Sequence, residues 1–352
     1  MKMISFGFVC ATVFGLAFSI YGDEPSPSAS VVLGQLSPSE AGTKDADESP
    51  LRSPFGIDFD TQGNMVIVEL EGGRVHRLSP KGELATIAGD GSKSYKGDGG
   101  PAAGATFNGM HNVAITPNGD IYIADSWNHC IRKIDAKTQT VSTIAGTGKA
   151  GYSGDGGLAA AATFNFVMCI TLNTTNDELY IADLNNRRIR AVNLKSATVR
   201  TVAGNGQRGI PKDGAVAVDS PLVDPRAVTV DSKGQVYILE RGGHALRVVS
   251  ADGKIHTVAG TGKKGYSDGP ALKAEFAAPK HVCIDDRDNV YIADDGNRAV
   301  RKFDPATSTV ATVVGQGRGK PVVTLNRPHG VCFEKGKLYV VDTGNNRILR
   351  LD

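Results

Sequence analysis

FNGMHNVAITPNGDIYIADSWNHCIRKIDAKTQTVSTIAGTG, residues 107–148, holds four short apolar runs, at 113–115, 121–124, 130–134 and 141–145. Turn formers separate them: Pro117-Asn118-Gly119, then residues 125–128, then residues 135–139. Runs of about five residues, rich in Ile, Val and Tyr and broken by Asn, Gly and Pro, are the pattern of strands joined by tight hairpins. The stretch predicts one four-stranded antiparallel sheet.

The rest of the chain repeats it. Tyr-Ile-Ala-Asp and its variants recur with their acidic residue at Glu69, Asp125, Asp183, Glu240, Asp294 and Asp342. Strands ending in glycine recur at Gly89, Gly146, Gly204, Gly260 and Gly315, at intervals of 57, 58, 56 and 55 residues. A four-stranded unit repeated at this period predicts an all-β fold, a six-bladed β-propeller of four-stranded antiparallel blades. Each blade has two apolar faces, and ring closure hides both. The sixth unit, residues 325–352, stops after three strands. The missing piece stands at the other end, where Val31-Val32-Leu33 precedes Gly34, one repeat before Gly89. The N-terminal strand is therefore expected to close the last blade.

The chain has 352 residues, 43 of them glycine, and a formal charge of +2. Such a balance offers no basic face for nucleic acid. Residues 1–22, one lysine followed by an apolar run, read as a signal peptide, residues 23–29 as a flexible linker and residues 30–352 as the propeller. The expected product is exported, periplasmic or extracellular, monomeric, and without a membrane span once the signal is removed. Four cysteines follow the signal: Cys130, Cys169, Cys283 and Cys332. No CxxC occurs, which argues against a zinc knuckle. Cys283 and Cys332 hold one repeat position in adjacent blades, so a bridge and a pair of apolar fillers both stay open. The interblade loops around Asp98, Asp155 and Asp268 are glycine-rich and carry a single acid each, too few for calcium. They read as structural, with the Asp capping the turn.

The segments 125–133, 183–190 and 342–348 carry Asp and Asn at matched places with Arg following, the strand openings at Pro54, Pro279 and Pro328 share a motif, and Gly-Asp-Gly-Gly-Pro-Ala loops precede blades. In these features nearly all of residues 31–352 resembles NHL repeats. The resemblance implies a six-bladed propeller and a range of roles: protein- or RNA-binding platforms, sensor domains and occasional enzymes such as the peptidyl-hydroxyglycine amidating lyase. Blades one and four depart from the pattern. Glu69 and Glu240 replace the Asp, and Gly72-Gly73 and Gly243-His244 replace the Asn-containing turn. Either these small turns open a groove or the change is neutral drift.

In a propeller the innermost strands line the central channel, and their leading residues ring one mouth. Blade by blade these are Phe55, His111, Met168, Arg226, Lys280 and His329, with His281 one place further in. Polar groups gathered at a concave mouth mark a candidate site. Arg226 and Lys280 suit a carboxylate or phosphate, and the histidines suit proton transfer or a metal. In the amidating lyases, three His from alternate blades hold zinc. The corresponding triple here is His111, Arg226 and His329, and arginine cannot serve as a ligand. The sequence thus favours a non-enzymatic scaffold that binds a protein segment or small anionic ligand and requires no cofactor. The alternative is a metal-assisted lyase or lactonase with zinc or calcium at the same mouth. Trp127, beside His129, is either a contact residue or a stacked surface aromatic.

Overall fold

Alternating β-branched residues and glycine-bearing turns produce six radial sheets in the computed structural model, which describes residues 27–34 and 50–352. The proposed signal peptide, residues 1–22, and most of the proposed linker, residues 23–29, lie outside the described residues. In blade two the strands are Met110–Ile115, Ile121–Asp125, Cys130–Ile134 and Val141–Ala145, paired in that order. The first strand starts three residues ahead of its apolar run. The other blades repeat the order, and the innermost strands touch their neighbours all the way round. Blades four and five add a short fifth strand outside, Ala215–Val216 and Gly269–Pro270, drawn from the interblade loops.

The ring closes as expected. Ala29–Leu33 pairs antiparallel with Arg347–Leu351, with Ala29 opposite Leu351 and Val31 opposite Leu349. Gly34, at φ 92°, ends this strand where a Cβ would lie 2.6 Å from the Asn346 carbonyl oxygen. Gly146 does the same beside the His129 carbonyl oxygen. The repeated glycine is thus a conformational and steric need at the end of every fourth strand. Among the described residues no helix is long and apolar enough to cross a membrane.

Between the blades lie separate apolar clusters, and each regular repeat also buries a charged group. Asp125 is wholly buried. Its Oδ1 accepts the Asn108 N–H at 2.7 Å, and its Oδ2 accepts from the Asn128 amide at 2.8 Å and from Arg132 Nη1 at 3.3 Å. It therefore holds the preceding loop and the Asn side chain, not the backbone amides of its own turn. Arg132 in turn donates to Asp98 Oδ1 at 2.9 Å, and Arg190 and Arg301 meet Asp155 and Asp268 alike. The loop aspartates do not cap their turns: each docks its loop onto a buried guanidinium.

Blades one and four keep the loop N–H contact by a coupled change. Glu69 Oε1 accepts the Arg52 N–H at 2.6 Å, and Glu240 Oε1 the Val223 N–H at 2.5 Å. The extra methylene carries the carboxylate into the place of the missing Asn. A Cβ on Gly72 would land on the Glu69 carboxylate, and one on Gly243 would lie 2.8 Å from Glu240 Oε2. The glycines make room for the glutamates and open no groove. All four described cysteines are free thiols. Trp127 is half-buried and lies over Gly109.

Candidate functional site

The leading residue of an innermost strand sits where the pairing register slips by one. The slips fall between Pro54 and Gly56, Met110 and Asn112, Val167 and Cys169, Pro225 and Ala227, and Pro328 and Gly330. The skipped residues are Phe55, His111, Met168, Arg226 and His329. A bulge residue is free of the ladder and its side chain is re-aimed, which turns five of the six leading side chains out of the sheet. In blade five the strand His281–Ile284 begins one residue after Lys280, whose N–H still bonds the Ala293 carbonyl oxygen.

These side chains pack together instead of lining an open basin. The Phe55 ring lies 4.7 Å from His111 and 4.2 Å from His329, centroid to centroid. Arg226 Nη1 donates to the Met168 carbonyl oxygen at 3.4 Å. Gly56 and Gly330 permit this crowding, since a Cβ on Gly56 would lie 2.7 Å from the Asn112 Cα of the next blade. Lys280 Nζ and His329 Nε2 both face Asp295, at 3.8 and 3.6 Å. Lys280 and Asp295 are the accessible members, each about one-sixth exposed by side chain.

Arg226 dominates the electrostatics. It is only 3 % exposed, no carboxylate among the described residues pairs with it, and its Nε lacks a hydrogen-bond partner. Burial first, and Arg241 second, pull its pKa down to about 10. Burial, aided by Arg226, brings Lys280 to about 8 and His281 to about 4, and holds His111 well below the usual imidazole range. Burial with Arg226 and Lys280 brings His329 to about 2. His111 Nδ1–H donates to the Gly109 carbonyl oxygen at 2.7 Å, leaving Nε2 as the acceptor nitrogen. All three imidazoles are neutral at pH 7, beside a cluster of cations.

His281 stands one layer deeper, as its sequence position implies. It reaches across the channel to Asn112 of the opposite blade, Nε2 accepting from Asn112 Nδ2 at 3.0 Å, and lies 3.7 Å from Cys169 Sγ. Asn112 Oδ1 in turn accepts the Ile170 N–H at 2.9 Å. This set closes the channel beneath the mouth.

The structure adds Arg241 and Asp295, which the leading-residue rule misses. Both directly follow the signature acid of their blade. In blades two and six that place holds Ser126 and Thr343, whose hydroxyls bond the Val167 and Pro54 carbonyl oxygens of the next blade. A charge there was the signal available in the sequence. Arg241 is matched by Asp224 at 2.7 Å. For zinc the residues present do not fit. His111 and His329 flank a guanidinium, and among the described residues no three His, Cys, Asp or Glu side chains are grouped to hold a metal ion.

Comparison with known proteins agrees with the architecture. The NHL repeat pattern matches residues 107–134 and 325–351. NHL repeat-containing protein 2 of Gallus gallus is 29 % identical over 363 residues, covering 91 % of this chain and 49 % of its own length. The chain thus spans about half the length of that relative. An auxiliary nutrient binding protein from Bacteroides ovatus superposes with a TM-score of 0.66 at 15 % identity, over 94 % of this chain and 77 % of that one. A streptogramin B lyase superposes with a TM-score of 0.55 at 15 % identity, over 87 % and 95 %. At such identities the two structures share the fold alone.

Proposed function

The chain is an NHL-repeat β-propeller, and on that premise we propose that it is an exported binding scaffold whose channel mouth takes the carboxylate or phosphate of a small ligand or protein segment. One observation carries the reading: a buried guanidinium, Arg226, with no carboxylate partner and one unbonded N–H. Buried charges in folded proteins are paired, because desolvating a lone ion is costly. An anion would supply the partner, and the planar fork of arginine suits carboxylate and phosphate oxygens. Lys280 and Asp295 form the approach, with Lys280 contributing a second positive charge. One structural neighbour is an auxiliary nutrient binding protein, and export and ligand capture would fit such a role here.

The test is a thermal-shift titration of the purified protein with inorganic phosphate and with succinate. A site of this kind gives roughly 2.7 kcal/mol of stabilisation at a hundredfold excess over the dissociation constant. Arg226→Met together with Lys280→Ala abolishes the shift. An equal shift in wild type and double variant removes the mouth as the site.

A further inference from the structure

Beyond His281, at the opposite end of the channel from Arg226, the innermost strands part around a chamber of about 240 Å³. Two rings of equivalent residues line it. The positions opposite Ile67, Ile123, Ile181, Ile238, Ile292 and Val340 on the second strands are Ile57, Val113, Ile170, Val228, Val282 and Val331. All are β-branched and aliphatic, as packing between identical blades requires. The next ring is Asp58, Ala114, Thr171, Thr229, Cys283 and Cys332. Here the sixfold repeat breaks down chemically while the backbone register stays the same. Packing alone does not call for an acid, two hydroxyls and two thiols at equivalent positions.

Among the described residues Asp58 is the only charged side chain on the chamber wall, and no lysine or arginine lines it. Its Oδ1 accepts the Phe59 N–H at 2.9 Å and its Oδ2 the Ile115 N–H of the next blade at 2.7 Å. A carboxylate has about four acceptor positions, so each oxygen keeps capacity for another donor. Burial, with Glu334 adding to it, raises the Asp58 pKa to about 7. Asp285 likewise adds to the burial effect on Cys283. Glu334 is itself held by the exposed Lys335 at 3.1 Å. The channel is thus basic at one end and acidic at the other.

We propose that this chamber is a second ligand site, for a small organic cation of the primary alkylammonium class, held by the Asp58 carboxylate on the ring that Thr171 and Thr229 share. Its volume lies below the common range for drug-sized ligands, about 300–1,000 Å³, which limits the occupant to roughly ten heavy atoms. The aliphatic ring takes the alkyl part, and the carboxylate takes the head. An anion is repelled at this end, and a neutral isostere lacks the charge pairing.

The experiment titrates the full protein at pH 8, where Asp58 is ionised, with propylammonium, 1-propanol and propionate, read by protein NMR shifts. The expected result is saturable binding of propylammonium, at least tenfold weaker binding of propanol, and none of propionate. Asp58→Asn should weaken propylammonium at least tenfold and leave propanol unchanged. Ala114→Leu, which narrows the chamber without touching the carboxylate, should weaken both. Equal binding of amine and alcohol by wild type, no amine binding, or full amine binding by Asp58→Asn overturns the proposal. Should Asp58→Asn fail to fold, the wild-type comparison and Ala114→Leu decide.

Discussion

Replacing Arg226 with methionine should make this protein more stable and abolish the proposed anion binding. Most substitutions of buried residues destabilise, so the sign itself is informative. Burial lowers the Arg226 pKa from 12.5 to about 10. A base whose folded pKa is depressed costs stability at every pH below that value and regains it only above. The depression corresponds to roughly 3 kcal/mol at neutral pH. The loss on substitution is small, since the side chain's one hydrogen bond is long, Nη1 to the Met168 carbonyl oxygen at 3.4 Å. Methionine fills an irregular space well and would stand beside Met168 and neutral imidazoles. The net gain should fall at about 1–3 kcal/mol, or roughly 2 °C in melting temperature for each kcal/mol. Urea denaturation at pH 7, in a buffer free of phosphate and polycarboxylates, measures it. Added phosphate should stabilise wild type and not the variant, so the difference narrows or reverses. A variant less stable than wild type by 1 kcal/mol or more would refute the claim that Arg226 is an unpaid electrostatic load held for a ligand.

Two further outcomes follow from buried groups away from that guanidinium. Arg301→Met strips Asp294, which is wholly buried, of its bond to Nη1 at 3.0 Å, while the partly exposed Asp268 can rehydrate; removing one partner of a buried pair costs about 3–5 kcal/mol, and the double variant with Asp294→Asn should recover part of that in denaturant titration. His281 is held neutral with its pKa brought down to about 4, so its stabilising share is complete above the unfolded value near 6.5 and fades as pH falls toward 4. Between pH 6.5 and 5 wild type should lose about 2 kcal/mol more than His281→Asn, and parallel pH profiles would contradict the neutral assignment.

The ring, its count and its closure were legible without coordinates because they rest on local signals. A glycine at the end of every fourth strand and an acid at the end of every second recur at one period, and the single strand at residues 31–34 supplies what residues 325–352 lack. The convergence of Phe55, His111, Met168, Arg226, Lys280 and His329 at one end was readable for the same reason: equivalent positions in a closed array share a height on the channel. The glycine turns of blades one and four read as either groove or drift, because the fit of Gly72 to Glu69 and of Gly243 to Glu240 is a steric pairing three residues apart that pattern alone does not disclose.

Sequence by itself determined the sixfold array and the level of each innermost residue, since both follow from period and strand alternation. Only the tertiary structure decided what those residues meet: that Arg226 lacks a carboxylate, that His281 reaches across to Asn112, that the loop aspartates dock onto buried arginines, and that a chamber with one acid opens beyond the plug. Those facts depend on distances between blades up to half the ring apart, and such distances are set by how closely the innermost strands pack, which no single repeat records.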